Sequence, residues 1–230
     1  MCGRYSIFAK AKKLEKRFNA ELGDDLTPRY NAAPTQTLPI ITNAEGERKI
    51  EFFHWGLIPS WAENPAIGSK MLNARAETLT EKPSFKKALQ SRRCLVLADG
   101  FYEWKTEGKK KQPVRTSLKS GEMFAMAGLW ENWTDKETGE VIHSFTIITT
   151  EANDLLKPIH DRMPVILLPK NEEIWLDNEL PTEQLLKVLK SYPADELKVE
   201  NVSKSVNNVA YDDCSILLPD AEEPEDLKLF

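Results

Sequence analysis

The chain has 230 residues, 41% hydrophobic and 29% charged, a balance that predicts one globular domain and excludes a chain too polar to fold. Its best apolar run, residues 123–130, is far short of a membrane span, and no apolar core of a secretory signal follows Met1. Cysteines at 2, 94 and 214 form no CxxC pair, which argues against a disulfide framework or zinc site and predicts a reducing intracellular setting. The cytoplasm or nucleoid, or the nucleus in a eukaryote, is the expected place, and no metal or other cofactor is expected.

The net charge of −5 is unevenly placed. Residues 212–230 hold seven acidic residues and Lys228, net −6, so the body sums to +1. The tail is expected to be mobile, and the body is free to carry a local basic face. Candidates are Lys109-Lys110-Lys111 and Arg92-Arg93, which read equally well as solvated surface.

The chain opens Met1-Cys2-Gly3-Arg4. Methionine removal requires a small second residue, and cysteine qualifies, so one trimming step places a thiol and an α-amine on adjacent carbons. An α-amine titrates near 7.7–8.0, against about 10.4 for lysine, and is substantially neutral at physiological pH. A cysteine thiol near 8.5 adds some thiolate, and more beside a cation. Such a 1,2-aminothiol cyclises onto an aldehyde or serves as the nucleophile of an N-terminal hydrolase. The alternative is a chance cysteine in a frayed terminus.

After this start, residues 11–19 fit a helix, with Leu14 and Phe18 one turn apart. Strands are expected over 37–42, 49–55, 94–98, 100–105, 123–130 and 141–150, separated by turn signals such as Thr106-Glu107-Gly108 and Thr138-Gly139. Residues 84–90 and 182–191 read as helices, the second with Leu185, Leu186 and Leu189 inward. Many strands, few helices and no βαβ alternation predict an α+β protein: a single domain, 1–211, built on an antiparallel barrel-like or sandwiched β-sheet with peripheral helices. No GxGxxG or GxxxxGK[ST] motif is present, which excludes the common nucleotide-binding frameworks.

Reactive groups gather among Trp, Pro and Gly in a few short segments. If 73–77 is extended, Asn73, Arg75 and Glu77 share a face. An amide beside a guanidinium would hold a sugar oxygen near a phosphate, although Arg75 and Glu77 could equally form a structural ion pair. Glu103, within Phe101-Tyr102-Glu103-Trp104, is either a water-facing strand residue or a buried carboxyl with a raised pKa suited to proton transfer. Of three histidines, His54 and His143 fall in strands. His160 opens a polar His-Asp-Arg turn before Met163-Pro164, a position suited to acid–base work.

Taken in order, Cys2-Gly3-Arg4, Tyr30-Asn31-Ala32-Ala33-Pro34, Trp55-Gly56-Leu57-Ile58-Pro59, Asn73-Ala74-Arg75-Ala76-Glu77-Thr78, Ala98-Asp99-Gly100-Phe101-Tyr102-Glu103-Trp104, Ala127-Gly128-Leu129-Trp130 and His160-Asp161-Arg162 resemble the SRAP (SOS response-associated peptidase) family across nearly the whole chain. The resemblance implies a protein that senses abasic sites in single-stranded DNA and captures them covalently through Cys2. It implies proton transfer by Glu103, assistance of sugar opening by His160, and orientation of Cys2 or the sugar by Asn73. It further implies phosphate contacts from Arg4, Arg75 and Arg162, apolar surfaces for bases at Trp61, Trp104 and Pro34, and a DNA contact at Asn31. A monomer acting on single-stranded DNA, away from membranes, is the expectation. Two rival readings are a cysteine peptidase with a self-processed N-terminus and a non-covalent reader of modified single-stranded DNA.

Overall fold

The apolar runs fold into two sheets, seen in a computed structural model that describes residues 2–22, 26–44 and 46–220. In chain order the strands are β1 (Tyr5–Ile7), β2 (Glu21–Leu22), β3 (Arg29–Ala32), β4 (Thr37–Ala44), β5 (Glu47–Trp55), β6 (Asn73–Arg75), β7 (Arg93–Ala98), β8 (Gly100–Glu107), β9 (Lys110–Leu118), β10 (Phe124–Thr134), β11 (Val141–Glu151), β12 (Arg162–Pro164), β13 (Ile166–Leu167) and β14 (Leu197–Asn201). The helices are α1 (Ala11–Phe18), α2 (Pro83–Ser91), α3 (Pro169–Leu176) and α4 (Thr182–Lys187).

Strands β11, β10, β7, β4 and β5 follow one another by antiparallel pairing. The barrel then closes through a parallel seam in which Ser144 faces His54 and Phe145 faces Trp55. The expected antiparallel barrel is therefore a mixed one. A tight hairpin cannot join parallel neighbours, and the long excursion between β5 and β11 supplies the crossover they need. Strand β7 is buried at every position, inside the barrel and under α3, where Trp175 donates its indole N–H to Cys94 O at 3.1 Å. Burial on both faces accounts for its unbroken apolar run.

The second sheet, in order β14-β9-β8-β1-β3, is antiparallel throughout. It shares the barrel's core: Cys2, Tyr5, Ile7 and Phe101 pack with barrel side chains, and the Tyr5 and Trp55 rings lie 5.1 Å apart. Residues 202–217 cover its other face through Tyr102, Val202, Val206 and Ile216.

Helix α1 buries Leu14 and Phe18 as expected and stops at Asn19, whose left-handed φ of 46° caps it with an N–H bond to Glu15 O. Helix α4 ends at Lys187 rather than 191, unwinding ahead of Pro193, yet Leu185 and Leu189 still reach the core. Strand β9 was not among the expected strands; its lysines entered only as a candidate basic face. Pro113 is tolerated because its O still accepts the Val202 N–H at 3.2 Å, while the Gln112 side-chain amide donates to Val202 O at 3.1 Å in place of the missing N–H.

The expected mobile tail from residue 212 is also corrected over its described part. Asp212 accepts the Tyr30 and Asn31 N–H groups at 2.6 and 2.8 Å, and Ile216 is fully buried. Satisfying backbone donors at the edge strand β3 outweighs the repulsion within the acidic stretch. The rest of the tail, 221–230, lies outside the described residues.

Candidate active site

Strand β1 lies between β8 and β3, so the residues preceding Tyr5 run along β8. Tyr5 faces Phe101, the Tyr102 N–H donates to Arg4 O at 2.9 Å, and continuing this register brings the chain start beside Glu103. Beneath this crossing, buried Asp99 accepts Ser6 Oγ at 2.6 Å and the Phe8 N–H at 2.7 Å, and pairs with Arg115 at 2.9 Å. A side chain at Gly100 would push the Arg115 guanidinium away from Asp99, since a Cβ would sit 2.4 Å from Arg115 Nε. Sequence reasoning missed this anchor, although Asp99-Gly100 stood in plain view; Arg115 arrives from a strand that was not expected.

Cys2 is fully buried, and Asn73 Nδ2 donates to its carbonyl at 2.9 Å. Strand β6 delivers Asn73 by pairing with β11, where Asn73 faces Ile147. The Asn73 Oδ1 is buried without a hydrogen-bond partner among the described residues. Burial pushes the Cys2 thiol up to about 12, and the nearby Glu103 carboxylate adds to the rise. The thiol is therefore protonated, and the thiolate reservoir expected from a free cysteine is absent.

Glu103 is 6% exposed, so of its two readings the structure selects the buried one. Burial raises its pKa, Asp161 raises it further, and Lys111 opposes the shift. His160 is half-buried, and burial, the largest influence, lowers its pKa. Its Nδ1 accepts the Arg162 N–H at 2.9 Å, which puts the proton of the neutral ring on Nε2. Asp161 Oδ1 also lies 2.8 Å from Nδ1, a contact that needs a proton on Nδ1, in the other neutral tautomer or the imidazolium, and so competes with the Arg162 amide.

The remaining expected residues fall into separate groups. Arg75 is exposed and lines a depression of about 330 Å³ with Glu151, Lys157, Asp161 and Arg162. Glu77 does not continue the β6 face, because residues 76–78 turn into a 3₁₀ segment. It pairs bidentately with Arg162 at 2.9 Å, while Arg162 also donates to Thr149 O at 2.7 Å. Lys157, which the sequence reading passed over, adds a cation to the same depression.

Arg4 and Asn31 meet each other: Arg4 Nη1 donates to Asn31 Oδ1 at 2.6 Å and to Val206 O at 2.7 Å. Asn31 is 0% exposed with its amide fully engaged, so the expected DNA contact there is corrected to an internal anchor. Trp104 is half-buried against the 202–217 segment and donates to Asn207 Oδ1 at 2.6 Å. It lies on the β8 face opposite Glu103, as strand alternation requires.

Trp61 is 57% exposed above a depression of about 610 Å³ that includes Ile67 and Lys70. Its loop leaves β5 at Gly56, whose φ of +136° and approach to Gly68 O, 2.7 Å from a would-be Cβ, exclude any other residue. Pro34 is half-buried in the turn before β4, next to Thr35 at φ 69°.

The family model described as SOS response associated peptidase (SRAP) matches residues 1–209. Among similar proteins, the abasic site processing protein YoqW of Bacillus subtilis is 45% identical over 90% of this chain and 95% of its own length. The abasic site processing protein HMCES of Xenopus tropicalis is 34% identical, over 80% of this chain and 64% of that one. A crystal structure of a protein from Bacteroides thetaiotaomicron superposes with a TM-score of 0.87 at 32% identity, covering 95% of this chain and 99% of that chain. On the match over residues 1–209 and on these relatives, the chain belongs to the SRAP family.

Proposed function

We propose that the chain captures abasic sites in single-stranded DNA as a covalent adduct on Cys2 once Met1 is removed. The observation that carries this reading is the convergence on Cys2 of two groups from distant segments: Asn73 on its carbonyl, and buried Glu103 on the strand whose register runs alongside the chain start. The names of the relatives support the substrate class.

In this reading the ring-opened deoxyribose presents an aldehyde at C1′. The Cys2 α-amine adds to it, and the carbinolamine loses water to give an imine. The thiol sulfur then adds to the imine carbon while its proton passes to the nitrogen, closing a thiazolidine with one water released overall. Glu103, with its pKa raised by burial, accepts and returns protons in both steps. A thiol held protonated beside a carboxylate suits addition after the amine has reacted. His160, neutral with Nε2 protonated, assists opening of the sugar.

Asn73 orients the terminus. Arg75, Arg162 and Arg4 supply positive charge for phosphates, and Trp61, Trp104 and Pro34 present apolar faces to flanking bases. Asn31 is left out of this surface because it is buried.

The test begins with intact mass spectrometry to verify Met1 removal, followed by incubation with a single strand containing one abasic site and denaturation. Wild type should give a heat-stable adduct. Cys2→Ala should give only an imine trapped by borohydride, and protein retaining Met1 should give neither. A heat-stable adduct from Cys2→Ala or from the Met1-retaining form overturns the thiazolidine route. Binding that disappears on denaturation supports the non-covalent reader instead.

A further inference from the structure

The segment after β14 ends up tied to the residue two positions from the nucleophile. Asn31, on β3, donates its amide to the carbonyls of Val206, Asn208 and Tyr211 at 3.3, 3.1 and 2.7 Å. Its Oδ1 accepts Arg4, and the same guanidinium nitrogen reaches Val206 O, 202 residues away in sequence. Asp212 closes the circuit by accepting the Tyr30 and Asn31 N–H groups and pairing with Arg29 at 3.0 Å. Below it, Val202, Val206 and Ile216 pack on Tyr102, whose hydroxyl donates to Tyr30 O at 2.7 Å.

Arg4 is thereby held twice. Its side chain is fixed by Asn31 and Val206, and its carbonyl accepts the Tyr102 N–H and the Cys2 thiol, the latter at 3.9 Å. Without the C-terminal segment, the Arg4 guanidinium would lose an acceptor and Asn31 would lose all three of its carbonyls. The chain start would keep β8, β3, Asn73 and the Asn31 Oδ1, but Asn31 itself would no longer be held. We propose that residues 202–217 are a strap that positions Cys2, with Asn31 and Asp212 as its positioning residues. The proposal rests on the capture reading above. Bond formation is sensitive to displacements of about 1 Å, which can cost about 10²-fold in rate, so a strap that fixes Arg4 acts on chemistry more than on affinity.

The test uses full-length Asn31→Ala and Asp212→Asn, each verified by mass to lack Met1 and by thermal unfolding to be folded. Three quantities are read. The first is Kd for a strand carrying a tetrahydrofuran abasic analogue, which cannot open to an aldehyde. The second is the single-turnover capture rate at saturating abasic strand. The third is the rate of reaction with 2-cyanobenzothiazole, a small nitrile selective for 1,2-aminothiols.

Loosening the strap should slow capture by roughly tenfold or more while Kd stays within about twofold. The nitrile should react faster, because the same aminothiol is less buried. That opposition separates positioning from general damage, which lowers both rates. An unchanged capture rate, a Kd that weakens in parallel with capture, or a nitrile rate that does not rise overturns the proposal. If Asn31→Ala does not fold, Asp212→Asn carries the same three readings. If wild type forms no DNA adduct, the capture reading fails on its own, and the nitrile arm still decides whether the strap buries Cys2.

Discussion

The closed barrel and the open sheet contribute differently: one is lined by fully buried apolar strands, the other holds the chain start between two strands. In the barrel, side chains such as Phe145, Ile147 and Leu95 are fully buried. The open sheet holds the chain start between β8 and β3, while buried polar atoms with no hydrogen-bond partner among the described residues occur in both sheets: Arg4 Nε, Tyr5 Oη, Thr116 Oγ1 and Ser117 Oγ in or beside the open one, Asn43 Oδ1, Asn73 Oδ1, Thr146 Oγ1 and Arg162 Nε in the barrel's. Each such atom costs on the order of 1–3 kcal/mol. Those of Arg4, Tyr5 and Asn73 gather around Cys2, where the shared apolar core offsets their cost. Stability and chemistry should accordingly respond to different substitutions.

The largest effect separating the two regions is expected at Glu103. Glu103→Gln should slow adduct formation by roughly 10²–10⁴-fold without weakening strand binding, measured by single-turnover capture and by Kd for an unreactive strand. It should also stabilise the fold in a pH-dependent way. Burial raises the folded-state pKa above the ordinary value of 4.5, so ionisation favours the unfolded chain. Below that value both states are protonated and the carboxyl costs nothing. As pH rises from there through the folded-state pKa, stability is lost, and the loss persists above it. The variant should thus melt higher than wild type once pH exceeds the folded-state pKa, and at the same temperature near pH 3. Equal melting at every pH would place Glu103 in water.

Phe145→Ala should do the reverse. Phe145 is fully buried at the parallel seam against Trp55, and its loss should destabilise the protein by about 3–5 kcal/mol in denaturant titration. Capture at a temperature where the variant is folded should match wild type. A tenfold slower reaction in the folded variant would erase the proposed division between regions.

Smaller effects sharpen the division within the site. Trp61→Ala should weaken strand binding by roughly 1–3 kcal/mol and leave unfolding unchanged, because the ring is mostly exposed. Trp104→Ala should lower both, since its ring also packs on the strap. The smallest change concerns charge. Arg75→Ala should reduce the salt slope of binding by about 0.7. Glu77→Gln should strengthen binding by releasing the Arg162 guanidinium that it neutralises. A weaker-binding Glu77→Gln would show that the pair orients Arg162 rather than masking it.

Local patterns determined a good part of this protein. Apolar runs marked the barrel strands and Leu14 and Phe18 marked α1, because burial on one or both faces is written into consecutive residues. The order of the motifs from Cys2 through Asn73 and Glu103 to His160 marked the family. Tertiary structure alone decided which polar groups meet. Strand β9 hid behind lysines and Pro113, and its register with β8 is what carries Arg115 to Asp99. Arg162 chose Glu77 across 85 residues, Arg4 chose Val206, and Asp212 left its acidic neighbours to cap β3. Hydrogen bonds and ion pairs act over a few ångströms and carry no periodicity along the chain, so their partners are set only once the sheets have closed around them.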